Sequence, residues 1–235
     1  MMMKQILLAS TSTMFGEEYL AYLQPELKSF FEGISEIVFI PFARPGGISH
    51  DEYTEKVREA FHSLNIKVHG LHTFTDPVEA IQQAEGFFTG GGNTFLLVQQ
   101  LHHLNLMEDL KAAVQGGTPY LGTSAGSNIG GLNMKNTNDM PIVYPSDFTT
   151  MGLVPFNINA HYLDPDPKST HNGETRETRI KEFHVFNEIP VVGLREGSWI
   201  RVKDDQVTTE GTKASRIFIK DQEPYELGSG SILRF

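Results

Sequence analysis

The chain has 235 residues, a formal net charge of −10 and no cysteine. A chain of this length can bury a sizeable core, and we expect one domain over residues 1–235. The negative charge makes nucleic acid and anionic membranes unfavourable partners. The lack of cysteine excludes disulfides, thiolate metal ligands and a cysteine nucleophile. The N-terminal apolar run is too short for a signal sequence and no stretch is as long as a membrane span, so we expect a cytoplasmic protein.

Strands and helices are predicted to alternate along the first half of the chain. Continuous apolar runs predict strands buried on both faces, and apolar positions at helical spacing predict amphipathic helices. Asp76 and Pro77 are typical of a helix start, with Asp76 as the N-cap. The alternation indicates a mostly parallel, doubly wound α/β sheet with helices on both faces. The predicted strands cover residues 6–9, 37–40, 68–71, 86–89 and 120–121, and the predicted helices cover 17–31, 51–64, 94–103 and a segment ending near residue 114.

The second half of the chain is less regular. A proline-dotted segment precedes a strand-like run that ends at His161. A polar loop and a helix follow, and short additional C-terminal strands complete the chain. The irregular segment is 137–155, the strand 156–160 and the loop 163–173; the helix carries Ile180, Phe183 and Phe186 at helical spacing; the last strands are 191–194, 199–202, 206–209 and 217–219, with a hairpin tip at Asp204 and Asp205.

A G-x-S-x-G pattern at 122–126 lies between a predicted strand and a helix-compatible segment. In that setting the serine sits on a sharp, strained turn with its hydroxyl exposed above the edge of the sheet. The pattern therefore predicts Ser124 as a nucleophile. The alternative is an ordinary turn rich in glycine and serine.

A second glycine-rich turn, Gly90-Gly91-Gly92-Asn93, follows the preceding strand. A phosphate-binding loop would continue with Lys-Ser or Lys-Thr, and a dinucleotide site would read G-x-G-x-x-G, and neither is present. We expect N–H groups of Gly91 and Gly92, together with that of Ala125, to bind the oxyanion of an acyl-transfer intermediate. A purely structural turn is the alternative.

A serine nucleophile needs a base and an acid that orients the base. Of nine histidines, His161 ends an apolar strand downstream of the serine, where a base would be displayed, although a structural histidine fits equally. The acid candidates are Asp139, Asp147, Asp164 and Glu196, and Glu196 is the best placed because it follows a predicted strand. The order Ser, His, Glu differs from the order Ser, acid, His of α/β-hydrolases.

Several segments, in one order along the chain, resemble peptidase E, the family of α-aspartyl dipeptidases. The fold that this resemblance implies is similar to that of class I glutamine amidotransferases, with serine in place of cysteine at the sharp turn of the G-x-S-x-G pattern, which we call the elbow. It implies Ser124 as nucleophile, His161 as base and Glu196 as orienting acid. The chain departs from the family where Ala160 and Arg195 each replace a proline beside a catalytic position. The segments are IPFA (40–43), DEYT (51–54), GGGNTF (90–95), SAG (124–126), TNDMPIV (137–143), GETRE (173–177) and the turn from Glu196 to Trp199.

The resemblance implies a serine peptidase that hydrolyses Asp-X dipeptides with an N-terminal aspartate through an acyl-enzyme, with no metal or organic cofactor. Arg176 is the candidate clamp for the substrate carboxylate, since a guanidinium binds a carboxylate with two hydrogen bonds; a surface pair with neighbouring glutamates is the alternative. Asn93 is a candidate hydrogen-bond partner of the substrate. Asp139 is expected either to receive the ammonium group or to cap a local turn.

Two other functions are compatible with these residues. One is a cyanophycinase-like peptidase that attacks β-aspartyl linkages on a polymer, and the other is a non-catalytic protein that binds aspartate or an acidic peptide. The expected partner is a small acidic dipeptide substrate, with no nucleic acid and no membrane. The oligomeric state stays open, and a homodimer is one option.

Overall fold

The computed structural model describes residues 4–168, 170 and 172–235. Ser169 and His171, in the predicted polar loop at 163–173, lie outside the described residues. The described strands are β1 (Gln5–Ala9), β2 (Glu36–Ile40), β3 (Lys67–Gly70), β4 (Phe87–Thr89), β5 (Tyr120–Thr123), β6 (Asn157–Ala160), β7 (Val191–Leu194), β8 (Ser198–Lys203), β9 (Gln206–Gly211), β10 (Ser215–Phe218) and β11 (Tyr225–Leu227). They form a seven-stranded sheet, in the order β3-β2-β4-β5-β1-β8-β9, and a four-stranded sheet, in the order β11-β10-β7-β6.

Strands β1 to β5 of the larger sheet pair in parallel, whereas β8 and β9 join it antiparallel. The two faces of β1 lie in different cores, because Ile6 and Leu8 pack into one apolar cluster and Leu7 and Ala9 into the other. A strand buried on both faces requires helices on both sides of the sheet. The predicted doubly wound α/β arrangement is confirmed.

The helices are mostly short. None in the described part of the chain has the length and apolarity needed to cross a membrane. Asp76 caps its helix as predicted, accepting hydrogen bonds from the N–H groups of Val78 and Glu79 at 3.0 Å. The helices are α1 (Gln24–Phe30), α2 (His50–His62), α3 (Pro77–Gln83), α4 (Thr94–His103), α5 (Met107–Gln115), α6 (Ala125–Asn128) and α7 (Arg176–Phe186), with 3₁₀ turns at Ala21–Leu23 and Leu71–Thr73.

Two predicted details are wrong. The helix predicted over 17–31 begins only at Gln24, because Pro25 is tolerated in the first turn of a helix but not in its interior. Leu71 lies in a 3₁₀ turn instead of the third strand. The predicted helix that carries Ile180, Phe183 and Phe186 is confirmed as α7, in which Ile180 is buried and Phe186, the last residue, is 89% exposed. The hairpin tip at 204–205 is confirmed by the pairing of β8 with β9.

Buried asparagines of β6 hold the segment 132–136, which follows α6, against that strand. The Oδ1 atom of Asn157, which is fully buried, accepts hydrogen bonds from the N–H groups of Leu132 and Asn133 at 3.1 and 3.0 Å. Asn159 donates to the carbonyl of Asn136 at 2.8 Å. These side chains satisfy backbone groups of 132–136 that regular secondary structure does not pair.

Asn157→Ala should lower the free energy of unfolding by about 2–4 kcal/mol, because it leaves two backbone N–H groups without their acceptor. Denaturant unfolding measures the change. Asn187→Ala is the control, since it removes one hydrogen bond to the carbonyl of Phe183, and we expect a cost of about 1 kcal/mol. Equal losses in the two variants would contradict a structural role for Asn157.

Candidate active site

The elbow between β5 and α6 places Ser124 in a rare backbone conformation, with φ 54° and ψ −112°. Such a conformation is costly for a residue with a side chain and persists only where the surroundings impose it. The Ser124 N–H donates to the carbonyl of Ala9 at 3.0 Å. A Cβ atom on Gly126 would overlap the carbonyl of Thr89, so only glycine allows this close turn.

His161 lies between Ser124 and Glu196. Its Nε2 atom is 3.0 Å from Ser124 Oγ, and its Nδ1 atom is 2.7 Å from Glu196 Oε1. Because an ionised carboxylate only accepts hydrogen bonds, Nδ1 carries the ring proton and Nε2 is free to accept the serine proton. The side chains of His161 and Glu196 are 40% and 42% exposed, so the site is open to substrate. The structure brings together the three residues that the sequence predicts as nucleophile, base and acid.

Ser10, which the sequence analysis did not single out, fixes the backbone of His161. Its hydroxyl donates to the carbonyl of Leu194 at 2.7 Å and accepts the His161 N–H at 2.9 Å. His161 itself has a left-handed φ of 54°. Ser10 is fully buried directly after β1. A small hydroxyl residue at the end of a buried strand was the only signal that could have found it.

The glycine turn after β4 lies against the serine. A Cβ atom on Gly91 would come 3.0 Å from the Cβ of Ser124. Within residues 4–168, 170 and 172–235, the N–H groups of Gly91, Gly92 and Ala125 have no protein acceptor. Ala125 directly follows the serine and Gly91 lies against it, so these N–H groups are candidates for binding an oxyanion. Their role as an oxyanion hole stays a prediction.

Asn93 and Asp139 both cap α4. Asn93 Oδ1 accepts from the N–H of Leu96 at 3.0 Å, and its Nδ2 donates to the carbonyl of Met140 at 2.8 Å. Asp139 Oδ2 accepts from the N–H of Thr94 at 2.7 Å. Of the two roles expected for Asp139, the structure shows the capping contact. Substrate contacts for both residues stay predictions.

Arg176 is the first residue of α7 and is half-buried. No carboxylate in the described residues lies within 4.0 Å of its guanidinium. The neighbouring glutamates pair elsewhere, Glu177 with Lys181 at 2.8 Å and Glu174 with Arg179 at 3.7 Å. Burial lowers the pKa of Arg176 and Arg179 adds to this, while Asp139 opposes it. The surface pair considered as an alternative is therefore not formed.

Comparison with known proteins places this site in a family. The model of Peptidase family S51 matches residues 6–210. The chain belongs to peptidase family S51. Peptidase E of Streptomyces coelicolor is 46% identical over 97% of this chain and 93% of its own length. A Drosophila melanogaster protein named "Probable alpha-aspartyl dipeptidase" is 39% identical over 99% of this chain and 97% of its own length.

A solved structure supports the fold of this S51 peptidase. A peptidase from an acI-B1 actinobacterium superposes with a TM-score of 0.74 at 18% identity, covering 100% of this chain and 98% of that one. At that identity the likeness concerns the α/β fold alone. The resemblance to peptidase E drawn from the sequence motifs is confirmed by the family match and by the relatives.

No three His, Asp or Glu side chains converge on a metal-sized site in the part of the S51 chain that the structure describes.

Charged groups next to Glu196, the predicted acid, form an ion-pair cluster. Arg195, which precedes Glu196, binds Asp164 through two hydrogen bonds of 2.7 Å. It also binds Glu226 at 2.8 and 2.9 Å. The segment after His161 is thereby joined to β11.

Arg195→Met should make the stability of this S51 peptidase less sensitive to acid. Hydrogen bonds from Arg195 are the largest cause of the lowered pKa values of Asp164 and Glu226, whose ordinary values are 3.8 and 4.5. The two ionised carboxylates therefore stabilise the folded state at pH values above their ordinary pKa values. This stabilisation is lost as the pH falls through their lower pKa values in the folded state.

The free energy of unfolding, measured in urea between about pH 5 and pH 3, should therefore fall less steeply in Arg195→Met than in the wild type. Arg58→Met is the control, because Arg58 forms an exposed pair with Glu55. If the free energy of unfolding depends on pH equally steeply in Arg195→Met and in the wild type, Arg195 is not the cause of the lowered carboxyl pKa values.

Proposed function

We propose that this S51 peptidase is an α-aspartyl dipeptidase that hydrolyses Asp-X dipeptides through an acyl-enzyme on Ser124. The observation that carries the proposal is the unbroken contact from Ser124 Oγ to His161 Nε2, at 3.0 Å, and from His161 Nδ1 to Glu196, at 2.7 Å. The printed names of the relatives support the substrate class. The absence of cysteine supports a cytoplasmic location, which is part of the proposal.

The reaction proceeds in two halves. Ser124 Oγ attacks the scissile carbonyl as its proton passes to His161 Nε2, and Glu196 stabilises the imidazolium that forms. N–H groups of the Gly91-Gly92 turn and of Ala125 hold the oxyanion. His161 then gives the proton to the leaving amine as the C–N bond breaks. In the second half, water attacks the aspartyl ester with His161 as base, and His161 returns the proton to Ser124 Oγ as the ester C–O bond breaks and aspartate leaves.

Specificity for aspartate must come from local cations, because a net charge of −10 repels an acidic substrate at a distance. Arg176 is suited to this task, since no carboxylate in the described residues occupies its guanidinium. Arg176 is the first residue of α7, where the partial positive charge of the helix N-terminus repels a cation. Its position is therefore better explained by a ligand than by the stability of α7.

Ser124→Ala should lower the kcat for Asp-Leu by several orders of magnitude, because it removes the atom that forms the acyl-enzyme. Calorimetry should show that the variant still binds Asp-Leu. Ser63→Ala, at the exposed end of α2, is the control and should keep full activity. Near-normal turnover by Ser124→Ala would contradict the serine mechanism. Binding without turnover by the wild type would instead favour a non-catalytic aspartate-binding protein.

Arg176→Ala should lower kcat/KM for Asp-Leu by about two to three orders of magnitude, because the substrate carboxylate loses a two-point partner. The loss on Ala-Leu should be far smaller. Arg176→Lys should restore activity only in part, since an ammonium keeps the charge but not the fork. Arg179→Ala, on the same helix, is the matched control. Equal losses on both dipeptides would show that Arg176 supports the fold or the triad and not specificity.

A further inference from the structure

Tyr53 on α2 lies directly beneath the glycine turn, and the proposed mechanism does not use it. Its side chain is 1% exposed, and its hydroxyl donates to the carbonyl of Gly91 at 3.1 Å. A Cβ atom on Gly90 would overlap this hydroxyl, so the ring fills the space below the turn. Tyr53 belongs to the DEYT segment that contributed to the family resemblance.

The hydrogen bond to the Gly91 carbonyl sets the direction of a neighbouring N–H group. In a planar trans peptide, the carbonyl of Gly91 and the N–H of Gly92 point in opposite directions. A carbonyl held toward Tyr53 therefore turns the Gly92 N–H away from it. Three consecutive glycines have no side chains to resist rotation of this peptide, so an external anchor is needed.

The turn is anchored on its other side as well. The N–H of Asn93 donates to the carbonyl of Ala43 at 2.7 Å, and a Cβ atom on Gly92 would overlap that same carbonyl. A Cβ atom on Gly91 would come within 3.0 Å of the Ser124 Cβ, so the turn lies against the nucleophile. The Gly92 N–H has no acceptor among the described residues and remains available to an oxyanion on Ser124.

We propose that Tyr53 is a positioning residue for the oxyanion hole: its hydroxyl holds the Gly91 carbonyl so that the Gly92 N–H faces the tetrahedral intermediate on Ser124. This inference rests on the proposed function. It assigns the N–H of Gly92, rather than the turn as a whole, as the second oxyanion donor beside the N–H of Ala125. Tyr53 acts through the backbone and does not touch the substrate.

The surroundings of Tyr53 make its hydroxyl a good donor. Tyr53 gives its one proton to Gly91, so the hydroxyl of Tyr19, 3.3 Å away, donates to Tyr53. Hydrogen bonds in such a chain strengthen one another. The guanidinium of Arg44 lies 5.1 Å from the centre of the Tyr53 ring, and Phe39 packs edge-on at 4.9 Å. The cation and the packing hold the ring in one orientation.

A misaligned oxyanion donor affects the transition state more than the bound substrate, because charge on the oxygen develops only as Ser124 attacks. Loss of the Tyr53 hydroxyl should therefore appear in kcat and leave KM nearly unchanged. A purely structural role for Tyr53 would also lower kcat per total enzyme at constant KM, because it reduces the folded fraction; kcat is therefore expressed per folded enzyme, and the affinity for a transition-state analogue is measured as well.

The test compares Tyr53→Phe with Tyr22→Phe on Asp-Leu. Tyr22 is a matched control, because its hydroxyl also donates to a backbone carbonyl, that of Thr11 at 2.6 Å, and not to one of the glycine turn. We expect Tyr53→Phe to lower kcat by about 10- to 30-fold with KM within about twofold, and Tyr22→Phe to lower it by less than about threefold. Thermal unfolding checks that both variants are folded at the assay temperature.

A transition-state analogue provides a second readout. An aldehyde analogue of aspartate forms a hemiacetal with Ser124 whose oxygen occupies the oxyanion position, so its affinity should fall in Tyr53→Phe by the same factor as kcat/KM. The affinity for aspartate, the product, should stay unchanged. Equal kcat values in the two phenylalanine variants, or an unchanged affinity for the aldehyde, would overturn the role of Tyr53.

The two proposals fail in different ways. If the role of Tyr53 is wrong, the wild type still cleaves Asp-Leu, Ser124→Ala is inactive and Tyr53→Phe behaves like its control. If the proposed function is wrong, the wild type does not cleave Asp-Leu or Ser124→Ala remains active, whatever Tyr53→Phe does.

Discussion

The carbonyl of Ala9, at the end of β1, holds the elbow on which the rest of the site depends. It accepts the N–H of Ser124 at 3.0 Å and the hydroxyl of Ser127 at 2.6 Å. The Ser127 hydroxyl also lies 2.8 Å from the carbonyl of Gly122. The residues before and after Ser124 are thus both held next to the end of β1. The unfavourable φ of Ser124 persists because these bonds form only in this conformation.

The parallel pairing of β1 with β5 brings the elements of the site to one edge of the sheet. Ala9 lies opposite Thr123 in that pairing, so the residues that follow each strand emerge side by side. Ser10 follows β1, and its hydroxyl binds the N–H of His161, directly after β6, and the carbonyl of Leu194 in β7, while Ser124 follows β5. The two sheets thus meet at one buried hydroxyl, which helps to fix the distance between nucleophile and base.

The strands of the first half could be predicted from sequence because a strand buried on both faces needs a continuous apolar run, as at Ile6 to Ala9. The elbow and His161 could be predicted because their chemistry demands particular residues at the ends of strands. Ser10 and Tyr53 could not, since a serine in a loop and a tyrosine on an amphipathic helix have many uses. Only tertiary structure decides which carbonyl each hydroxyl meets. The start of α1 was missed because apolar spacing continues through Pro25, where helical hydrogen bonding cannot.

The ion-pair cluster has a consequence for the boundaries of the working enzyme. The family model ends at residue 210, yet Arg195, next to the proposed catalytic acid, is bound by Glu226 in β11. An expression fragment cut at the limit of the family match would keep every residue of the proposed triad. It would nevertheless lose the carboxylate that steadies the turn of Glu196. In this chain the last described strand therefore supports the proposed catalytic acid, through the contacts of Glu226 with Arg195.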